Sequence, residues 1–334
     1  MVNKYRNILV IQTASIGDVI LVTPVIEELH ALYPEASIDI LVKKGTETLF
    51  DGHPFLRKVW IWDKSSSKYP NVWRLIIRLR RQKYDLCINA QRFFSSGMIS
   101  VFSGARVTSG FNKNPLSFLY SYKIKHDIGK DHPHEAERNL ALIPGYQVLE
   151  GSANISLYPR PEDYSHVVQY KQEQYICISP ASLWFTKQFP LEKWLELIQE
   201  IPLQYRIYLL GSESDHNMAE ELITGSRRDK ITNLCGKMGL LQSAALMKDA
   251  VMNYVNDSAP LHLCSAVKAP VTAVFCSTVP SFGFGPYGGQ GRVVEISREL
   301  ACRPCGIHGK SSCPEKHFLC AFNITKEQLL STLP

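Results

Sequence analysis

Short apolar, β-branched runs alternate along this chain with longer stretches in which apolar positions recur every third or fourth residue. That alternation is the pattern of parallel βαβ units. In the first half the runs predict strands near 7–12, 38–42, 57–61, 85–89 and 106–110, with helices near 17–33, 45–51, 69–82 and 94–102. In the second half they predict strands near 175–179, 205–211, 231–234, 251–255 and 271–276, with helices near 190–200, 214–224, 240–248 and 259–267. A last helix falls near 325–332. The periodicity weakens over 147–172, where Pro159 and Pro161 stand, and this places the domain junction. The expected architecture is α/β, with two doubly wound domains over 1–160 and 161–334. No internal repeat or low-complexity segment interrupts it.

Length and composition narrow the class. A chain of 334 residues suits two domains. Its 45% hydrophobic and 20% charged content is that of a soluble globular protein. No apolar run reaches the roughly 18–20 residues that span a bilayer. Lys4 and Arg6 precede an apolar stretch, as in a signal peptide, but Gln12, Thr13 and Asp18 interrupt it early and no cleavage site follows. Nine cysteines, an odd number, fit a reducing compartment with free thiols. The expected location is therefore cytoplasmic, and the sequons at Asn154 and Asn323 are chance matches.

The net charge of +6 is uneven. Residues 1–160 hold 21 Lys and Arg against 14 Asp and Glu, while the remainder is nearly balanced. The excess reads either as a solvated surface or as a first domain that meets something anionic: a phosphorylated glycolipid, a membrane surface or nucleic acid. Arg74, Arg78, Arg80, Arg81 and Lys83 share a helical stretch with Trp73, Leu75, Ile76, Ile77 and Leu79. Such a helix either covers a sheet with its arginines in water or lies at an anionic interface.

Candidate chemistry clusters after predicted strands. Ser15, Gly17 and Asp18 follow the first strand, at the carboxyl edge where open α/β sheets bind ligands. Gly17 suits a tight turn. Asp18 on its own reads either as a helix cap or as a general base. Ser182 and Lys187 lie between the strand at 175–179 and a helix opened by Pro190. Gly211 ends another strand, and Glu213 and Asp215 follow it; capping of the next helix is the competing reading. Asp257, Ser258, Ala259, Pro260 and His262 lie where strand meets helix. Pro260 fits the first helical turn and Ser258 its cap. Unpaired amides at such a helix start bind anions.

Together these stretches, with the loop Phe284–Tyr287, resemble glycosyltransferase family 9, the ADP-heptose:lipopolysaccharide heptosyltransferases. The resemblance covers nearly the whole chain, including His53–Val59, Arg106–Phe111 and His134–Arg138. It implies the GT-B arrangement: two Rossmann-like domains facing across a cleft, with the terminal helix packing back across it. It implies that Asp18 deprotonates the acceptor hydroxyl, with Ser15 and Gly17 on the acceptor side. Lys187 then neutralises the donor diphosphate and Ser182 contacts phosphate. Asp215, with Glu213 as competitor, faces the nucleoside. Asp257 contacts the donor sugar, His262 lies by sugar and phosphate, and the amides at Ser258 and Ala259 hold the anion.

The implied reaction is inverting and metal-independent, and no Asp-x-Asp metal motif occurs. The donor is ADP-heptose, no cofactor is expected, and the acceptor is an anionic glycolipid at the inner membrane surface. This chain departs from the family at Gln12, where Lys or Arg is usual, at Ala14, where Ser or Gly is usual, and at Ala259, where Gly is usual. The first change removes a cation from the acceptor side; the last puts a methyl beside the phosphate.

Two further patterns carry less. Residues 283–288 match a dinucleotide fingerprint as a string, but Pro286 and a following strand-like run deny it the required helix. Cys302, Cys305, Cys313 and Cys320, with His308 and His317 among them, have zinc-like spacing. Structural zinc, free thiols and a disulfide all remain open there. The rival functions are another nucleotide sugar with another surface glycan, a non-catalytic ADP-binding homologue, and a zinc-stabilised nucleic-acid binder.

Overall fold

In the computed structural model, which describes residues 4–64, 68–129 and 132–334, each half of the chain builds one six-stranded parallel sheet. The first contains β1 (Asn7–Gln12), β2 (Ser37–Lys43), β3 (Leu56–Trp62), β4 (Leu86–Asn89), β5 (Val107–Phe111) and β6 (Tyr122–Ile124), ordered β3-β2-β1-β4-β5-β6. The second contains β7 (Tyr175–Ser179), β8 (Arg206–Leu209), β9 (Ile231–Asn233), β10 (Met252–Asn256), β11 (Val271–Phe275) and β12 (Gly291–Glu295), ordered β12-β11-β10-β7-β8-β9. Both are the same winding. The strand order reverses between β1 and β4, and again between β7 and β10, which makes those two gaps the ligand positions of each sheet.

The central strands are apolar throughout because helices cover both faces. Ile8, Leu9, Val10 and Ile11 of β1 are all fully buried, as are Ile176, Cys177 and Ile178 of β7. The chain divides into one unit running to Ile128 and resuming at His132–Tyr158, and a second over Pro159–Pro334. Among the described residues, no helix is long and apolar enough to cross a membrane.

Three features differ from the sequence expectation. The helix expected over 17–33 is two helices, Ile16–Leu21 and Thr23–Leu32. Pro24 has no amide to donate into the preceding turn, and the Thr23 hydroxyl donates to the Ile20 carbonyl at 2.8 Å. The helix expected near 45–51 is a single 3-10 turn, Glu47–Phe50. Strand β6 and the helices Glu135–Leu140 and Pro161–Val167 were not expected; β6 is a short edge strand with little apolar pattern to betray it. The terminal helix, Lys326–Leu330, packs inside the second unit. The Tyr254 hydroxyl donates to the Leu329 carbonyl at 3.1 Å, and Lys326 pairs with Glu200 at 2.6 Å.

Candidate active site

The first site lies at the carboxyl end of β1. Ser15 caps the helix Ile16–Leu21 and Asp18 is its third residue, so the two form a capping box. The Ser15 hydroxyl and amide both donate to Asp18 Oδ2, at 2.5 and 3.2 Å. Among the described residues, no donor reaches Oδ1. The cap therefore occupies one oxygen of the carboxylate and leaves the other. Gly17 is buried in the first helical turn with no left-handed backbone, so the tight turn expected of it is absent.

Burial raises the Asp18 carboxyl above the ordinary carboxylate range. The Ser15 hydroxyl opposes this, the Glu135 charge adds to it, and the Ser15 amide and Arg92 oppose it. A raised carboxyl is a stronger base once ionised. Glu135 is itself held by His126 at 3.2 Å and Arg138 at 2.7 Å, all three buried. Burial pushes Glu135 up, but the His126 hydrogen bond and the Arg138 charge outweigh it and keep Glu135 below its usual value. An anion fixed there destabilises the charged form of Asp18. The Glu135→Gln variant keeps the shape and removes that charge, so the acid limb of kcat/KM is expected to move to lower pH. An unmoved limb in a pH–rate series would deny the coupling. Sequence reasoning gave Glu135 no role, because its partners converge only in the fold.

Gln12, which stands where the family carries a cation, is buried. Its side-chain oxygen accepts from the Gln91 amide and from Ala14 N, the latter at 3.3 Å. A cation nevertheless arrives from elsewhere: Lys64, past the end of β3, donates to the Thr13 carbonyl at 2.6 Å. No sequence spacing linked Lys64 to Thr13.

The second site lies at the carboxyl ends of β7 and β10. Asn256 donates to the Pro180 carbonyl at 2.7 Å and accepts from Phe189 N at 2.9 Å, which pins the loop carrying Ser182 and Lys187. Lys187 Nζ lies 2.7 Å from Asp257 Oδ2, and the Thr278 hydroxyl donates to the same oxygen at 2.6 Å. The residues expected to serve diphosphate and sugar are thus paired with each other. Ser182 is half-buried in the loop after β7.

Asp257 leads into the helix Ala259–Val267, with Ser258 at its N-cap position. The expected side-chain cap is absent: the Ser258 hydroxyl turns to the Asn256 carbonyl at 3.4 Å. Ala259 is half-buried at the start of that helix, and His262 is buried in its first turn. Asp215 lies in the turn after β8. Its Oδ2 accepts from Ser212 N at 2.8 Å and Ser212 Oγ at 2.6 Å, which closes the capping box of the 3-10 turn Glu213–Asp215; the expected side-chain cap of the following helix, His216–Ser226, is absent. Residues 283–288 lead into β12, a strand, and not into the helix a dinucleotide site requires.

The cysteine segment braces the second site from behind. Lys310 N donates to the Thr186 hydroxyl at 2.7 Å, and Thr186 N returns to the Lys310 carbonyl at 3.1 Å. Arg303 donates to the Cys276 and Thr278 carbonyls, each at 2.7 Å. Gly309 has φ of +58°, and a Cβ there would come within 2.8 Å of Lys187 Cγ. All nine cysteines are free. Among the described residues, no group of three or more His, Cys, Asp or Glu is arranged to hold a metal ion. Burial raises the Cys320 thiol to about 12, with repulsion from Cys305 and Cys313 adding to it.

Two doubly wound sheets, each with polar residues gathered at the switch in its strand order, are the Rossmann-like pair from which GT-B glycosyltransferases are built. Residues 72–316 match glycosyltransferase family 9 (heptosyltransferase), and the chain belongs to that family. Lipopolysaccharide heptosyltransferase 3 of Escherichia coli (strain K12) is 27% identical over 283 residues, 78% of this chain and 80% of that protein. The solved structure of E. coli ADP-heptose lps heptosyltransferase II superposes with a TM-score of 0.77 at 22% identity, covering 98% of this chain and 97% of that one. E. coli heptosyltransferase WaaC with ADP-2-deoxy-2-fluoro heptose gives 0.73 at 20% identity, covering 97% and 98%.

Proposed function

We propose that this enzyme moves heptose from ADP-heptose to a hydroxyl of a lipopolysaccharide inner-core acceptor, with inversion and without a metal ion. The carrying observation is Asp18: a carboxylate at the ligand edge of β1, one oxygen anchored by Ser15, the other open, and its proton affinity raised by burial. The acceptor O–H gives its proton to Asp18 as its oxygen bonds to the anomeric carbon. The bond from that carbon to the β-phosphate oxygen breaks on the opposite face, and ADP departs. Attack opposite the leaving group inverts the centre.

The departing diphosphate needs positive charge as the bond breaks. Lys187 and the amides at the start of the helix Ala259–Val267 supply it, with Ser182 alongside. That set stands in for a divalent cation. Asp257 Oδ1 is directed to a sugar hydroxyl, with His262 beside sugar and phosphate, and Asp215 faces the nucleoside. Arg92 and Lys64 meet the acidic acceptor in place of the cation lost at Gln12. The relatives named for lipopolysaccharide and ADP-heptose support the donor and acceptor classes.

The test is ADP release from ADP-heptose, with and without a heptose-deficient lipopolysaccharide acceptor, repeated in EDTA. Acceptor-dependent release that EDTA leaves unchanged is expected. ADP binding without release would sink the transfer; release lost in EDTA and restored by magnesium would sink the metal-free route.

A further inference from the structure

The helix Lys68–Arg80 divides its sides between two environments. Val72, Leu75, Ile76 and Leu79 are buried in one apolar cluster with Leu9, Leu41 and Cys87 of the first sheet. That face is committed to the fold. The opposite face carries Trp73, 48% exposed, and Ile77, 51% exposed, one turn apart. Phe102, 40% exposed at the end of the neighbouring helix Phe94–Phe102, meets Trp73 with ring centroids 5.6 Å apart. Three large apolar side chains thus form one island in water.

Arginines surround the island. Arg74, Arg78, Arg80 and Arg81 are all exposed. Between Asp63 and Asp85 the chain holds seven Lys and Arg and no Asp or Glu. Among the described residues, none of these four arginines pairs with a carboxylate. Arg78 lies over the Trp60 ring at 5.2 Å, and Arg74 donates to Asn71 at 3.2 Å.

We infer that this face is a docking surface for an anionic lipid bilayer. Charge complementarity selects the partner. Unpaired arginines attract anionic headgroups, while Trp73, Ile77 and Phe102 enter the headgroup boundary, where tryptophan is favoured. A nucleic-acid phosphate backbone would use the arginines but leave the apolar island in water. The placement also serves the chemistry. The helix follows β3, so it begins at the carboxyl edge of the sheet that carries Asp18, and its 13 residues lie along the flank for about 20 Å. A glycolipid acceptor held in the same bilayer then presents its sugar to that edge. The surface deepens the proposed transfer, naming where the enzyme meets its acceptor, yet it can be tested without any turnover.

The experiment is flotation of the full chain with vesicles of phosphatidylcholine alone or mixed with phosphatidylglycerol. Binding to the mixed vesicles only, weakened by salt, is expected. Arg74→Glu with Arg81→Glu should lower that binding roughly a hundredfold, and Trp73→Ser with Ile77→Ser roughly tenfold. Both variants should turn over a lipid-free acceptor fragment at the native rate, which also reports that they fold. Equal binding to both vesicle types, or variants that bind as the native chain does, would overturn the surface. Preference for duplex DNA over anionic vesicles would overturn it in favour of nucleic acid. Vesicle binding without turnover of any acceptor would uphold the surface and count only against the transfer.

Discussion

Asp18→Asn is expected to lower kcat/KM by about 10²- to 10⁴-fold, the range a positioned general base contributes, while ADP affinity stays unchanged. Asparagine preserves the shape, and its oxygen still accepts from Ser15, so the helix Ile16–Leu21 keeps its cap. What it loses is the ability to take a proton. ADP release and ADP titration on the same preparation separate the two effects. The pH profile adds a second arm. Burial raises the Asp18 carboxyl, so it is protonated up to a higher pH than a free aspartate near 3.9. The base acts only when ionised. Activity is therefore full above the raised value and falls as pH drops through it. That acid limb should lie above the ordinary aspartate range in the native enzyme and be absent from the residual rate of the variant. Native-like turnover in Asp18→Asn would remove Asp18 from the chemistry.

The two oxygens of Asp18 also show where sequence reasoning stops. Cap and base look like competing readings along the chain, because a carboxylate three residues after a serine satisfies both patterns. In the fold the cap takes one oxygen only: Oδ2 serves Ser15, and Oδ1 is left for the base proposed above. Local pairs of this kind, such as Ser15 with Asp18 and Ser212 with Asp215, are legible because three residues of helix or turn bring them together unaided. The central strands were legible too, since a buried parallel strand must be apolar along its whole length, whereas the exposed edge strand β6 was not. Long-range partners leave no such trace. Nothing in the spacing joins Lys64 to Thr13, Glu135 to His126, or Lys310 to Thr186. The cysteine segment is the clearest case. Its spacing speaks only of thiols and metals, and gives no sign that the Lys310 backbone holds Thr186 in the loop that carries Lys187, or that the Arg303 side chain holds the carbonyls of Cys276 and Thr278.

That bracing bears on the second large effect, expected from Lys187→Ala. Lys187 and Asp257 are 70 residues apart in sequence, so their 2.7 Å pairing is a product of the fold. Asp257 is buried, and without the lysine, among the described residues, only the Thr278 hydroxyl remains on its Oδ2. Removing one member of a buried pair costs about 3–5 kcal/mol, so the melting temperature should fall. The ammonium has three hydrogens and can serve Asp257 and a phosphate oxygen at once. Losing a preorganised donor to developing charge costs about 10²–10³ in kcat, so turnover should fall as well. A double variant separates the two losses. Lys187→Met with Asp257→Asn removes both charges and retains volume, so thermal melting should return most of the stability, while ADP release stays low because the diphosphate still lacks its cation. If the double variant recovers turnover along with stability, Lys187 only neutralises Asp257 and the diphosphate is held by other groups. If it recovers neither, the pair is needed to build the loop between β7 and the helix Leu191–Glu200, and Lys187→Arg, which keeps the charge, should then rescue folding first.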